Sequence, residues 1–245
     1  MEFGDTVDRQ DIDRFAAQSG SWWDPRGGFA PLHQINPVRV DFVRRLALDH
    51  FRRDARSLRP FAGLRLADIG CGGGLAAEPM ARLGFSVTGI DATAEAIDAA
   101  RRHAEDTGLA IDYRTGDVET LAGTGERFDV VLALEVIEHV ADMHRFLTGI
   151  GGLVKPGGLF FGATLNRTAK SFALAIVGAE YVLGWLPRGT HQWRQFVRPS
   201  EFVLGLRRVG LKTTCLAGTS YDVATQTWQE TSDLSVNYML AARRT

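Results

Sequence analysis

The chain has 245 residues, 45% of them hydrophobic and 23% charged, a composition typical of a soluble globular protein with one large domain. Its 28 basic and 29 acidic residues give a formal net charge of -1, which excludes the strong positive field typical of nucleic-acid-binding proteins. Two cysteines, Cys71 and Cys215, are too few for a disulfide framework and favour a reducing compartment.

The first sixty residues, 1–60, are predicted to form a helical cap. They begin with an acid-rich stretch, unlike a secretory signal or a transit peptide, so we expect a cytoplasmic protein. The pattern of 8–23 predicts a helix that ends before Pro25. Asn36 is predicted to cap a second helix, with Pro37 at its first position.

From residue 64 onward, strand and helix patterns alternate. The predicted strands cover 64–70, 85–91, 110–117, 128–136 and 158–165, and the predicted helices 75–83, 93–108 and 142–154. This alternation indicates an α/β fold with a doubly wound, mostly parallel sheet and helices on both faces. The alternation stops at a helical insertion at 166–198. A further helix is predicted at 198–210, and two closing strands at 211–219 and 233–242. We interpret 1–245 as a single domain.

A cluster of glycines follows the first of these strands, in "LRLADIGCGGGLA". Gly70, Gly72 and Gly74 offer bare backbone where the strand gives way to a helix, which favours a nucleotide-like ligand. Position 75 is leucine, whereas the dinucleotide fingerprint has a glycine there, so a nucleotide-dependent oxidoreductase is the weaker alternative. Cys71, inside the turn, is either a nucleophile or a small packing residue, and we favour packing.

Two aspartates flank this turn in the predicted sheet. Asp91 ends the second strand, 21 residues after Gly70, where a carboxylate can accept hydrogen bonds from both hydroxyls of a ribose. The alternative is an acidic residue that merely favours the helix dipole. Asp68 precedes the glycines and is predicted to fix the loop or to receive a ligand ammonium group.

A third group of polar side chains follows the fourth strand, in "ALEVIEHVADMH". Glu135, Glu138 and His139 stand at i, i+3 and i+4, so a helical turn would place all three on one face. Two carboxylates and an imidazole can bind a divalent cation such as Mg²⁺ or Mn²⁺. The same residues can instead supply a general base, with His139 titrating near neutral pH.

Most of the insertion at 166–198 is apolar. Residues 171–186 contain a single charge, Glu180, and basic residues flank them. A membrane-spanning helix needs about 20 apolar residues, so a span is not expected. The remaining alternatives are a core helix and a lid that meets lipid or an apolar substrate, and we favour the lid.

The pattern Asp68-x-Gly70-x-Gly72-x-Gly74 with Asp91 resembles the class I S-adenosylmethionine (SAM)-dependent methyltransferases, which have a Rossmann-like fold. "SWWDPRGGFAPLHQINPVR", "DIGCGGG", "TLNRTAKSFALAIVGAEYVLGWLPRGTH" and "VNYML" together resemble the ubiquinone biosynthesis O-methyltransferases, the 3-demethylubiquinol 3-O-methyltransferases, over nearly the whole chain. The resemblance implies methyl transfer from SAM to catechol hydroxyls of polyprenylated intermediates. The arginine-rich stretch "HFRRDARSLRPFAG" departs from the shorter members.

The resemblance also implies roles for individual residues. Cofactor contacts are implied at Arg39, Gly70, Asp91 and Leu134. From their positions in the sequence, Asp68, Gly72 and Asp117 are further predicted cofactor contacts, with Asp117 near the adenine. Metal ligands are implied at Glu135, Glu138 and His139, and Glu138 and His139 are also the predicted catalytic residues. The expected partners are a polyprenylated catechol, an anionic membrane surface and other enzymes of ubiquinone biosynthesis, with peripheral association to the bacterial inner membrane. The alternatives are methylation of another small phenol and a non-catalytic SAM-binding scaffold.

Overall fold

The computed structural model describes residues 19–174, 192–222 and 225–245. Its strands are β1 Arg65–Ile69, β2 Ser86–Asp91, β3 Asp112–Thr115, β4 Phe128–Leu134, β5 Val154–Leu165, β6 Leu211–Asp222, β7 Thr227–Thr231 and β8 Asn237–Arg244. Its helices are α1 Ala30–His50, α2 Ala77–Arg82, α3 Ala94–Asp106, α4 Val118–Gly123, α5 Met143–Leu153, α6 Ala169–Ser171 and α7 Pro199–Arg208. Most of the first predicted helix, at 8–23, lies outside the described residues.

The strands form one sheet in the order β3-β2-β1-β4-β5-β8-β6-β7. The first five strands of this order are parallel, and β8, β6 and β7 are antiparallel to their neighbours. The mostly parallel α/β sheet predicted from the sequence is confirmed. The strand order reverses between β1 and β4, because β2 and β3 extend the sheet on one side of this pair and β5 extends it on the other. A ligand is therefore expected in the crevice beyond the carboxyl ends of β1 and β4.

The buried core lies on both faces of the sheet. Leu66 and Val130 face a cluster formed with α1, α2 and α3, whereas the adjacent Ala67 and Val131 face a second cluster formed with α4, α5 and α7. Because successive side chains of a strand point to opposite faces, an apolar strand needs helices on both sides. The continuous apolar character of β4 has this origin.

Helix α1 passes through the position where the sequence predicted a helix start. Pro31 lies in its first turn, and Pro37 is inside the helix, so the prediction of an N-cap at Asn36 is wrong. The side-chain amide of Asn36 instead donates a hydrogen bond to the carbonyl of Leu75, at 2.7 Å. Burial of one face of α1 against the sheet outweighs the helix hydrogen bond that Pro37 removes.

Two further differences concern strands. β5 begins at Val154, directly after α5, so the Pro156-Gly157-Gly158 stretch belongs to the strand and coincides with a shift in its register against β4. The edge strand β7 was not predicted, because its largely exposed and polar sequence has no alternation of apolar and polar residues. The closing strand is Asn237–Arg244 rather than 233–242.

We expect Gly74→Ala to lower the free energy of unfolding by roughly 2 to 4 kcal/mol. Gly74 has φ +90°, and a Cβ atom there would lie 2.2 Å from the hydroxyl oxygen of the buried Tyr113. Gly108 is the matched control, because its φ is +67° but its Cβ would meet nothing within 4 Å. We expect Gly108→Ala to cost about 1 kcal/mol in urea denaturation. Equal losses in the two variants would show that the overlap with Tyr113 does not matter.

Candidate active site

Asp91 holds the glycine turn to the end of β2. Its Oδ2 accepts a hydrogen bond from the backbone N–H of Gly72 at 2.9 Å, and its Oδ1 accepts one from Thr93 N–H at 2.8 Å. Burial raises the pKa of Asp91, and the two N–H groups partly offset that rise. Each carboxylate oxygen has a second lone pair, so both remain able to accept a hydroxyl.

The turn itself depends on left-handed glycines. Gly70 has φ +67° and Gly72 has φ +51°, and the N–H of Gly70 donates to the carbonyl of Ile90 at 2.8 Å. A Cβ atom on Gly70 would lie 2.5 Å from a methyl carbon of Val136. The sequence Gly-x-Gly is therefore needed for both the backbone conformation and the close approach of the next segment.

Asp68 is buried at the end of β1, close to the same turn. Burial, followed by the charge of Asp91, raises the pKa of Asp68 to about 7, opposed by a hydrogen bond from the backbone N–H of Ala77. Among the described residues, no group donates a hydrogen bond to its Oδ2. A buried carboxylate oxygen without a donor fits a cationic ligand group such as an ammonium.

We expect Asp68→Asn to stabilise the cofactor-free protein increasingly from pH 5 to pH 8. The carboxyl group has an ordinary pKa of 3.8 and a folded pKa of about 7, so its ionisation opposes folding progressively between these values. The gap in free energy of unfolding should therefore widen by roughly 2 to 3 kcal/mol in favour of the variant and level off above pH 7. Denaturation at several pH values measures it, and a constant gap would contradict the burial of this charge.

Arg39 connects α1 to the end of β4. Its guanidinium is buried and donates from Nη2 to Oε1 of Glu135, at 2.6 Å. Its Nε has no hydrogen-bond partner among the described residues. Glu135 adopts φ +56°, and its N–H donates to the carbonyl of Ala163. A buried guanidinium N–H without an acceptor fits an anionic ligand group such as a carboxylate.

Glu138 and His139 lie on the 3-10 turn Ile137–His139. The carboxyl group of Glu138 is buried and accepts a hydrogen bond from the hydroxyl of Thr164, at 2.8 Å. Burial first, and then the charge of Glu135, raise the pKa of Glu138 well above its usual value. His139 is only partly buried, and it is therefore the more accessible of the two.

The prediction that Glu135, Glu138 and His139 share one face of a helical turn is wrong. Glu135 has left-handed backbone and precedes the 3-10 turn that carries the other two residues. Within 19–174, 192–222 and 225–245, no three His, Cys, Asp or Glu side chains are grouped so that they could hold a metal ion. In this arrangement the three predicted ligands do not form a cation site, because they are not grouped and Glu135 is paired with Arg39.

The remaining predicted contacts lie at the same edge of the sheet. Asp117 caps α4, and its Oδ1 accepts hydrogen bonds from the N–H and the hydroxyl of Thr120, at 2.7 and 2.6 Å. Leu134 is the last residue of β4 and is partly exposed. Cys71 is buried, and burial, then Asp91 and Asp68, raise the pKa of its thiol, which favours packing over a nucleophilic role.

Two tryptophans for which the sequence pattern predicted no individual role, Trp22 and Trp23, lie on the glycine turn. Trp22 stacks on Phe29 with ring centroids 3.7 Å apart, and Trp23 donates from Nε1 to the carbonyl of Gly73 at 3.0 Å. The signal in the sequence is the run of glycines itself, because only residues without a Cβ allow an indole to lie so close. Thr164, the hydrogen-bond donor to Glu138, had no signal at all.

Residues 67–162 of the chain match the family described as a methyltransferase domain. A ubiquinone biosynthesis O-methyltransferase from Paramagnetospirillum magneticum is 54% identical to the chain, covering 98% of it and 96% of the relative. The chain belongs to the ubiquinone biosynthesis O-methyltransferase family. Another member, from Azorhizobium caulinodans, is 52% identical over 97% of the chain and 94% of its own length. The predictions of the family and of a SAM-dependent O-methyltransferase are confirmed.

Solved structures of more distant methyltransferases share the fold. A magnesium protoporphyrin IX methyltransferase from Synechocystis PCC 6803 superimposes with a TM-score of 0.65 at 18% identity, covering 96% of this chain and 94% of that one. A possible histamine N-methyltransferase from Thermotoga maritima has a TM-score of 0.65 at 16% identity, with coverages of 96% and 99%. The chain therefore has the predicted class I methyltransferase fold, and the oxidoreductase alternative is set aside.

Proposed function

We propose that the protein transfers the methyl group of SAM to a catechol hydroxyl of polyprenylated ubiquinone precursors, namely 3-demethylubiquinol and the earlier polyprenyl catechol. The observation that carries this proposal is the set of unpartnered buried polar atoms, on Asp68 and Arg39, beside a glycine turn held by Asp91. Their charges complement the ammonium and the carboxylate of a methionine group. The names of the relatives supply the substrate class.

The cofactor is proposed to lie across the carboxyl ends of β1, β2 and β4. Asp91 would accept both ribose hydroxyls, Asp68 would receive the ammonium group, and Nε of Arg39 would donate to the carboxylate. Gly70 and Gly72 leave space for this approach. The partly exposed Leu134 supplies an apolar surface, and Asp117 lies at the end of β3, toward the adenine.

The chemistry needs a phenolate, because a free phenol has a pKa of about 10 and is a weak nucleophile at neutral pH. We propose that His139 accepts the catechol proton as the oxygen attacks the sulfonium methyl group in line. The new O–CH₃ bond forms as the S–CH₃ bond breaks, and S-adenosylhomocysteine leaves with the electron pair on sulfur. Glu138, buried behind His139, holds the turn in place through Thr164, and the fold supplies alignment of oxygen, methyl and sulfur.

The resemblance also implies a divalent cation, Mg²⁺ or another, as a second cofactor beside SAM, and we include it in the proposal. When bound, such an ion would favour the phenolate by attracting the catechol oxygens. A rate that EDTA abolishes and Mg²⁺ restores would show that the working enzyme needs a divalent cation. A rate that EDTA leaves unchanged would reject the cation and keep the general base.

The described ends of the insertion at 166–198 carry exposed apolar side chains. Phe172 is 46% exposed, Leu174 53% and Trp193 37%, while most of the predicted lid helix lies outside the described residues. No helix among the described residues is long and apolar enough to cross a membrane. We propose peripheral association with the anionic inner membrane, which would keep the polyprenyl tail in lipid near other enzymes of the pathway. The arginine-rich 50–60 segment lies between α1 and β1, and contact with anionic lipid is a separate proposal for it.

We expect the protein to co-sediment with anionic vesicles at low salt, and expect Phe172→Ser with Leu174→Ser to weaken that binding about tenfold or more. Each exposed apolar side chain that enters the interface contributes about 1 to 2 kcal/mol. Lys170 is ion-paired with Asp233, so the basic charge at this end is partly compensated and the salt dependence should be modest. The matched control is Leu204→Ser, also 50% exposed but on α7. Equal losses in both variants would reject a specific lipid surface.

The proposed reaction is tested with labelled SAM and two acceptors, a short-chain prenylated catechol and a simple catechol without a tail. Methylation of the prenylated compound with higher kcat/KM supports the ubiquinone precursor. Higher kcat/KM with the tail-less compound would favour the alternative, an O-methyltransferase of another small phenol. Cofactor binding without methyl transfer to any catechol would favour the scaffold.

A further inference from the structure

The indole of Trp22 lies flat on the glycine turn. A Cβ atom on Gly72 would be 2.4 Å from its Cη2, and one on Gly73 would be 2.6 Å from its Cβ and Cγ. Phe29 covers the indole in a nearly parallel stack, with an interplanar angle of 6°. Phe29 and the glycine turn therefore hold the indole from two sides.

The two adjacent tryptophans differ in how their indole N–H groups are satisfied. Trp23 donates to the carbonyl of Gly73, whereas Nε1 of Trp22 has no hydrogen-bond partner among the described residues. Trp22 is only 8% exposed, so water does not compensate this donor. A buried donor without an acceptor is costly and rare in native proteins, and at a ligand site it indicates an acceptor that the ligand brings.

We propose that Trp22 is a cofactor-binding residue whose indole N–H donates a hydrogen bond to the nucleoside half of SAM. The proposal rests on the cofactor site described above. The six-membered ring of Trp22 lies over Gly72, whose N–H is bound to Asp91, the residue assigned to the ribose. The same indole packs with Leu75 and the first turns of α3, which follow β2.

The position of Trp22 relative to Arg39 and Asp68 indicates that it contacts the nucleoside half of SAM rather than the amino-acid half. Arg39 bonds to Glu135 after β4, and Asp68 ends β1, so the groups suited to the amino-acid half lie toward the β1–β4 side of the crevice. Trp22 lies on the other side of the turn, with α3. An oxygen or nitrogen of the ribose or adenine is therefore the acceptor that this donor meets.

The test compares Trp22→Phe with Trp23→Phe by calorimetry, with S-adenosylhomocysteine and with 5′-methylthioadenosine, which lacks the amino-acid half. Trp22→Phe should weaken both ligands about five- to tenfold, the effect of one lost hydrogen bond. Because Trp22 is buried, the smaller ring is also expected to lower the melting temperature of the free protein, so affinities are compared at a temperature where the variant is folded. Trp23→Phe should lower the melting temperature as well, because it breaks a hydrogen bond present in the free protein. In the wild type labelled with ¹⁵N-tryptophan, the indole signal of Trp22 should move downfield on addition of either ligand.

Each other result overturns the assignment in a distinct way. Unchanged affinity in a folded Trp22→Phe variant would make Trp22 a packing residue, and increased affinity would make it an occupant of the cofactor space. Weakening of S-adenosylhomocysteine alone would move the acceptor to the amino-acid half. If Trp22→Phe does not fold, an unmoved indole signal in the wild type rejects the proposal. A wild type that binds neither ligand would instead reject the cofactor site itself.

Discussion

His139→Ala is expected to lower kcat by about 100- to 10,000-fold while the affinity for S-adenosylhomocysteine changes less than about twofold. The imidazole is the accessible titratable side chain on the 3-10 turn after β4, whereas Glu138 beside it is buried and favours its neutral form. Without a base, either the neutral and weakly nucleophilic phenol attacks the methyl group, or the proton must first be lost to water, which is unfavourable at neutral pH. The separation of kcat from cofactor affinity distinguishes a chemical role from a binding role.

Glu138→Gln is the companion variant, because glutamine preserves the size of the side chain and its ability to accept from Thr164. We measure kcat and the KM for the acceptor with a short-chain prenylated catechol, and cofactor affinity by calorimetry. A His139→Ala enzyme that retains more than a tenth of the wild-type kcat would show that another group removes the proton. A parallel loss of cofactor affinity would assign His139 to binding.

Asp91→Ala is expected to weaken SAM binding by roughly 1 to 3 kcal/mol, about 5- to 150-fold. The variant removes both the proposed acceptor of the ribose hydroxyls and the two backbone hydrogen bonds that shape the turn, from Gly72 and Thr93. The free protein is also expected to lose stability, since these N–H groups then depend on water. Affinity measured by calorimetry and melting temperature measured without ligand separate the two effects.

Asp91→Asn is the control for the charge. Its amide oxygen can still accept from one backbone N–H, so we expect a smaller loss of stability than in Asp91→Ala, with weakened affinity. An Asp91→Ala protein that folds and binds SAM as tightly as the wild type would show that the aspartate only holds the turn. In that case the ribose is bound elsewhere.

The sequence alone determined most of the α/β framework. The strands β1 to β4 and the helices α2, α3, α5 and α7 lie where apolar periodicity, glycines and helix-ending signals predicted them. These patterns are local, because each records how a short segment meets a sheet face or ends a helix. The glycine turn between Asp68 and Asp91 was predictable for the same reason, since left-handed backbone selects glycine.

The arrangement of the site was decided only by the tertiary structure. Arg39 and Glu135 are 96 positions apart, yet their ion pair takes Glu135 out of the set of side chains that spacing had placed on one helical face. The continuation of α1 through Pro37 likewise depends on burial against strands more than twenty residues away. Residue spacing along the chain indicates which backbone conformations are favourable. The partner of a buried charge or hydrogen-bond donor depends instead on which distant segments the fold brings together. No short window of sequence contains the identity of that partner.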